Sequence, residues 1–423
     1  MRDWEETTLG ELIDIKHGYA FKGEFFTEVP NGNALLTPGN FHIGGGFKAD
    51  KFKYYIGDIP EDYVLSPGDV IVTMTDLSKD GDTLGYSARI PESTNRFLHN
   101  QRLGLVSTIS KRADINFIYW LLRTSPYQKT IVNSCSGSTV KHTSPSKIKD
   151  YKFLLPPITE QVAIDEVLSS FERKIENLRG QNETLEVIAQ TLFKHWFVDF
   201  EFPNEDRKPY KSSGGKMVRS VLGEIPVGWR VGKLGDVVET LGGGTPSTTM
   251  SEYWENGNIP WYSPTDLTRS KTLFSLGSEK KITKLGLEKS SAKLFPKYSL
   301  LLTSRATIGE ITINTQDACT NQGFITIVPN QTFSVYFLYG WLLTQISLIK
   351  QLASGSTFPE LSKSTFRNFS FLIPDSARLA KYDKTIKPIF QKIENNINQI
   401  QTLTKTRDVL LPKLMSGKLR ITE

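Results

Sequence analysis

Apolar side chains recur at alternating intervals of four and three from Ile164 to Trp196, through Leu168, Phe171, Ile175, Leu178, Asn182, Leu185, Ala189 and Leu192. This is a coiled-coil seam, polar only at Asn182, and it predicts one long helix opening after Pro157. A second seam runs Tyr382, Ile386, Ile389, Ile393, Asn396, Ile400, Leu403, Arg407, Leu410, Leu414. It is less regular. Arg407 interrupts it, and Pro388 has no N–H to give a helix, which predicts a kink or a late start. Ahead of each seam lie short β-rich runs broken by Gly, Pro, Asn and Asp: "GDVIVTMT", "YSARI" and "LGLVSTI" in one half, "SLLLT", "GEITI" and "FITIV" in the other. Each set predicts strands, followed by a helix near Asn116–Ser134 in the first half and from about Val335 in the second.

The halves are copies. "CSGSTVKHTSPSKIKDYKFLLP" from Cys135 returns as "ASGSTFPELSKSTFRNFSFLIP" from Ala353, 218 residues on, and "WEETTLGEL" from Trp4 returns as "WRVGKLGDV" from Trp229, 225 on. Between these, "NQRLGLV" is echoed by "NQGFITI", "FIYWLL" by "FLYGWLL", and "GDVIVTMTDLSKDGDTLG" by "YSLLLTSRATIG". So long a period excludes a solenoid or propeller and marks duplication of a domain-sized module. The expected organisation is a mixed α/β domain over 1–156, a long helix over 157–200 and a linker rich in Pro, Gly and charge over 201–228. A second domain over 229–374 and a second long helix with a tail over 375–423 complete it.

Charge sharpens this picture. The chain has a net charge of +6, but residues 96–152 hold 10 Lys/Arg against 2 Asp/Glu, and residues 269–305 hold 9 against 2. Each half thus carries its own basic stretch, as two nucleic-acid contacts require. Residues 157–200 hold 4 basic and 8 acidic side chains, and residues 375–423 hold 10 and 5, so the long helices are complementary. No apolar run approaches the ~18 residues of a membrane span. Cys135 and Cys319 sit in different halves without metal-ligand spacing, which points to a reduced, cytoplasmic protein.

Catalytic motifs are missing. "SSGGKM" lacks the Ser/Thr of a phosphate loop, and "LGGGT" reads as a flexible turn. "LLPPI" marks a helix start, where proline is favoured. His17, His42, His99, His142 and His195 are dispersed, so no metal or cofactor is expected. What recurs is polar, basic loops. "SGSTVKHTSPSK" offers Ser138, Thr139, Lys141, His142 and Lys147, and its copy "SGSTFPELSKS" offers Ser356, Thr357 and Lys363. Such groups suit phosphate contact. "LLTSRATIG" offers Thr303, Ser304 and Arg305, the last able to bond a guanine edge with two donors, whereas the first copy has "VTMTDLSKDG" without an Arg. Lys22, Arg102, Lys271, Asn321 and Gln322 complete the candidate DNA-binding set.

The chain resembles the specificity subunits of type I restriction–modification systems. The residues that carry the likeness are "LFKHWFVDFE" after the first helix, "LGEIPVGW" opening the second domain, "GGGTPS" and "NIPW" within it, and "LMSGKLRI" near the end. The resemblance implies an α+β fold: two target-recognition domains joined by two antiparallel helices with pseudo-two-fold symmetry. It further implies double-stranded DNA with a bipartite target as ligand, two modification (methyltransferase) subunits docked beside the helices, and restriction (translocating nuclease) subunits joining through the complex. Adenine methylation and cleavage then belong to those other chains. The alternatives are a specificity chain for an orphan adenine methyltransferase or a combined restriction enzyme, and a coiled-coil adaptor that binds protein only. The family's Glu-Gln at the first helix start (Glu160, Gln161) is replaced in the second copy by Arg378 and Leu379.

Antiparallel pairing about Gly180 sets the expected register. Asn182 then faces Asn396, Leu185 faces Ile393, Ile164 meets Leu414 and Trp196 meets Tyr382. A helix of ~40 residues, ~60 Å long, is long enough to hold half-sites ~34 Å apart.

Overall fold

The computed structural model describes residues 3–49, 51–78, 80–353 and 359–421. The chain divides into two compact units, Met1–Lys174 with Leu403–Glu423, and Ile175–Thr402. In the first, an antiparallel sheet runs in the order Ile13–His17, Leu103–Thr108, Val70–Thr73, Ser87–Arg89. A smaller mixed sheet, Phe26–Thr27, Lys53–Tyr55, Asn33–Leu35, Arg96–Leu98 and Val64–Leu65, adds a second layer. In the second unit the central sheet runs Glu239–Gly242, Phe324–Val328, Leu300–Thr303, Ile311–Asn314, Phe274–Ser275.

The duplication extends to register. Leu103 pairs Thr73 and Gly104 pairs His17 in one sheet; Phe324 pairs Thr303 and Ile325 pairs Gly242 at the matching places of the other. In each unit a terminal ribbon closes the domain, Glu5–Thr8 on Lys152–Leu155 and Arg230–Lys233 on Ser370–Ile373. Gly18 and Gly243 are equivalent, and a β-carbon at either would collide with the carbonyl oxygen of Asn100 or Asn321. "LGGGT" is therefore no flexible turn. Gly243 lies hard against that backbone, Gly244 packs on Ser291, and its carbonyl accepts from the Trp261 indole at 2.9 Å.

Two forty-residue helices run Ile158–Phe197 and Ser376–Met415. The second does not start late: it is continuous through Pro388, which is exposed while Ile386 and Phe390 beside it are buried. The Lys384 carbonyl that loses its donor can be hydrated there, and burial of the flanking side chains keeps the helix intact. The missing Glu-Gln has two replacements. In the first unit the Trp4 indole donates to Glu160 Oε2 at 3.0 Å, and Arg420 clamps the same carboxylate at 2.7 Å. In the second, the Trp229 indole donates to Asp375 Oδ2 at 3.1 Å, and Asp375 Oδ1 accepts from the Arg378 backbone at 2.9 Å, capping the helix. Gln161, bonded to Pro156, Arg112 and Asp114, gives way to Leu379 in an apolar cluster.

Within the second unit the helices pair antiparallel. Asn396 Nδ2 donates to Asn182 Oδ1 at 2.9 Å, and the Trp196 and Tyr382 rings lie 5.6 Å apart. The same helices also bury a second face on their own domain: Phe193, Phe390 and Ile397 lie off the seam yet share one core with Leu300, Leu302 and Ile325. In the first unit Ile164 and Leu168 share a core with Leu411 and Leu414. Arg407 is no flaw there. It lies 4.0 Å from Glu172, which also takes Arg123 Nη1 at 2.5 Å and the Tyr119 hydroxyl at 2.8 Å. Residues 201–228 hold a hairpin, Met217–Ser220 with Gly223–Pro226, and Phe202 stacks on Tyr210 and Trp229.

Glu186 gives the second unit a pH dependence. Burial, then the Glu183 carboxylate, push its carboxyl up from 4.5 to about 7. The folded chain therefore keeps a proton that the unfolded chain has lost, so this contribution to stability is complete below about pH 4.5 and is lost by about pH 7. Glu186→Gln is expected to stabilise the chain by about 1–2 kcal/mol above pH 7, allowing for partial solvent screening, and to make no difference near pH 4. Melting curves of parent and variant across that range check it; a constant offset at every pH would contradict the assignment.

Candidate nucleic-acid interface

In both units the chain that leaves the central strand meets the loop built on Ser-Gly-Ser-Thr. In the first unit Met74 and Thr75 follow Val70–Thr73, and Thr75–Asp76 pairs antiparallel with Lys141–His142. The Thr143 N–H donates to the Met74 carbonyl at 3.0 Å. In the second unit, Ser304 and Arg305 follow Leu300–Thr303, Arg305 bridges Glu360, and the Leu361 N–H donates to the Ser304 carbonyl at 3.0 Å. A third segment is tied to the same spot: Met74 N–H donates to the Arg102 carbonyl at 2.9 Å, and Ser304 N–H to that of Gly323 at 2.8 Å. These are matching positions throughout, so one backbone junction is built twice.

The side chains on that junction differ. At one matched pair the first unit has Thr75 and His142, with Thr75 Oγ1 and His142 Nδ1 3.1 Å apart. The second has Arg305 and Glu360, with Arg305 Nη2 2.8 Å from Glu360 Oε1. At the third segment the first unit carries exposed Arg102 where the second has Gly323. Each junction therefore has one exposed arginine on its backbone frame, carried by a different segment.

In the first unit the loop is firmly held. Ser136 and His142 exchange backbone hydrogen bonds at 2.9 and 2.8 Å, leaving Ser138 and Thr139 exposed at the tip. Gly137 has φ +91, and a β-carbon there would strike the Val140 carbonyl. Asp76 shapes the facing loop. Burial raises its pKa, but hydrogen bonds from Thr83 and Ser78 outweigh this and hold the carboxyl below its ordinary value. His99 lies behind the junction, driven by burial down to about 4, so it stays neutral and bonds the Leu103 carbonyl at 3.0 Å.

Not every sequence candidate reaches this edge. Thr303 and Ser304 are buried, and Thr303 Oγ1 accepts from the Glu310 N–H at 2.9 Å, so neither side chain can meet a duplex as placed. Strand alternation hides one and the close approach of Gly323 the other. Asn321 Oδ1 accepts from Gly323 N–H at 2.8 Å, a turn-forming role, and Gln322 Oε1 accepts from Thr245 at 2.7 Å. Lys147 Nζ donates to the Ser134 carbonyl at the end of a helix at 2.5 Å. Lys22 and Lys363 are exposed at the starts of short helical turns, and Lys271 ends the helix Pro264–Ser270 with φ 46. Ser356 and Thr357 lie outside the described residues. Glu360 and Thr75 escaped the sequence reading because an acid and a neutral hydroxyl do not announce DNA contact. The 218-residue offset from His142 would have found Glu360.

Two repeats of one α+β module, each presenting the same backbone junction with different polar groups, have the organisation of a recognition subunit. A sequence profile for the type I restriction modification DNA specificity domain matches residues 1–187 and 226–407. The chain belongs to the type I restriction–modification specificity subunits and carries two target-recognition domains. It is 31% identical over 348 residues to the type I restriction enzyme MjaIX specificity subunit of Methanocaldococcus jannaschii, covering 80% of this chain and 76% of that one. To the HindI specificity subunit of Haemophilus influenzae it is 27% identical over 359 residues, covering 72% and 77%. The crystal structure of the type I S subunit from M. genitalium shares the fold, with TM-score 0.59 and 18% identity over 98% of this chain and 96% of that one. No helix among the described residues is long and apolar enough to cross a membrane.

Proposed function

We propose that each unit reads one half of a bipartite duplex target through its junction of strand end and Ser-Gly-Ser-Thr loop. The two long helices set the spacing between the halves and offer the surface on which two modification subunits dock. Restriction subunits join through that complex, in the cytoplasm, and methylation and cleavage are carried out by those partners. The observation that supports this most directly is the doubled junction, with its backbone hydrogen bonds kept and its side chains changed. A shared frame with divergent polar tips is what two readers of different half-sites need, because backbone geometry positions and side chains specify. In this reading residues 1–156 form one exchangeable recognition domain. Replacing them with the matching segment of a relative, and reassembling the full chain with its modification subunits, is expected to change one half of the methylated sequence completely and leave the other intact. Alteration of both halves would sink the modular reading.

A further inference from the structure

The matched pairs Thr75–His142 and Arg305–Glu360 differ in a way that bears on which bases are read. We propose that Glu360 is a specificity-determining residue that positions Arg305, and that the two together read one G·C base pair in the half-site of the second unit. The inference rests on the reading of the doubled junction as the DNA-facing edge.

Arg305 and Glu360 are both exposed, at 50% and 43% of their side-chain surface, so the pair is not a buried structural bridge. An exposed ion pair contributes little to stability. Its value lies in geometry. Arg305 Nη2 lies 2.8 Å from Glu360 Oε1, an ion pair that holds the guanidinium beside the carboxylate, and a guanidinium has five donors with which to reach a base as well. Guanine presents two acceptors, O6 and N7, in the major groove, which an arginine meets with two parallel donors. The cytosine paired with it presents an amino donor, and a carboxylate is the acceptor that matches it. Arginine and glutamate side by side thus complement both members of a G·C pair. The carboxylate has a second effect: it repels phosphate, so this arginine is kept from the backbone and left to a base edge.

The first unit holds the same two positions without a guanidinium or a carboxylate. Thr75 Oγ1 and His142 Nδ1 lie 3.1 Å apart, and an exposed arginine, Arg102, stands instead on the third segment of the junction. The outward group at this place is then the His142 imidazole, with Thr75 buried beside it, and it cannot form the same complement to G·C. The two domains read different bases through one pair of positions.

The test uses the full chain with its modification subunits and a pool of duplexes randomised across the target. Three variants are compared: Arg305→Ala, Glu360→Gln, and the double Arg305→Thr, Glu360→His that transplants the first unit's pair. Arg305→Ala is expected to abolish the preference for G·C at one position of one half-site. Glu360→Gln is expected to weaken it roughly tenfold at that same position. The melting temperature should be unchanged by Glu360→Gln, which separates positioning from stability. The double variant should shift the preferred base pair and leave the other half-site alone. If Arg305→Ala relaxes a position that Glu360→Gln leaves sharp, the role given to Glu360 is overturned while the DNA-facing edge stands. Uniformly tighter binding by Glu360→Gln with the G·C preference as sharp as in the parent would also overturn it, as the carboxylate would then be only a nearby negative charge. If none of the three alters the selected sequence, the junction does not face DNA and the underlying reading falls.

Discussion

Glu172→Ala is expected to destabilise the chain by about 3–5 kcal/mol, because it strands a buried guanidinium. Arg123 has 4% of its side chain exposed and reaches Glu172 at 2.5 Å, with further bonds to the Gly44 and Gly45 carbonyls. It cannot shed its proton, so the loss of the carboxylate leaves a positive charge in the core with only dipoles to answer it. Arg407 of the second helix, which lies 4.0 Å from the same carboxylate, keeps Asp408 at 2.8 Å as its partner. Glu172→Gln keeps an acceptor for the Tyr119 hydroxyl and should cost less. The pH dependence separates the two contributions. Burial pushes the Glu172 carboxyl up, but Arg123, Tyr119 and Arg407 outweigh it and hold it below 4.5. A folded value below the unfolded one gives stability that is present above about pH 4.5 and is lost as pH falls through the folded value. Parent and Glu172→Gln should therefore converge in acid and diverge towards neutrality. Urea titrations at several pH values check both statements; a loss below about 1 kcal/mol for Glu172→Ala would mean that water reaches Arg123 and answers its charge.

The same network shows how far a sequence can be read. The duplication was legible from Ser-Gly-Ser-Thr and Trp-x-x-x-x-Leu-Gly alone, and its offsets carry through to single hydrogen bonds, as Thr143 on Met74 and Leu361 on Ser304 show. The two long helices were legible too, since a heptad seam is a local property of the chain. Arg407 was misjudged for the opposite reason: whether a charge on a seam is a defect depends on what faces it, and Glu172 and Arg123 are distant in sequence. Phe193, Phe390 and Ile397 were missed because a seam accounts for one apolar face, whereas these helices bury two. The candidate DNA edge was half legible. Residues in the repeated loop, such as His142, and at the strand end, such as Arg305, do converge. Thr303 and Ser304 share that motif yet point inward, and Asp375 took over the role of Glu160 from three residues upstream of Arg378. Period-two alternation and capping geometry decide such cases, and both turn on shifts of a single residue.

Asn182→Leu alone is expected to cost about 1–3 kcal/mol, and the double variant Asn182→Leu, Asn396→Leu to recover that loss or more. In the structure Asn396 Nδ2 donates to Asn182 Oδ1 at 2.9 Å and reaches Gln181 Oε1 at 3.4 Å, while Asn396 Oδ1 is buried without a partner among the described residues. The single change removes the better acceptor and presses leucine against a buried amide. The double change removes the amides together, including the oxygen left unanswered, and lets two leucines pack. Greater stability should come with a looser register. A polar pair at one seam position penalises a slip of either helix, because each amide would then face apolar side chains such as Leu178 or Leu185. If that register sets the distance between half-sites, the double variant should methylate targets whose spacers differ by a base pair from the parent's preference, and a library of spacer lengths reads this directly. A double variant that is more stable yet as strict in spacer length as the parent would assign the asparagines no part in the ruler. Strictness would then reside in the second buried face, where Phe193, Phe390 and Ile397 lock both helices to the core of the second unit.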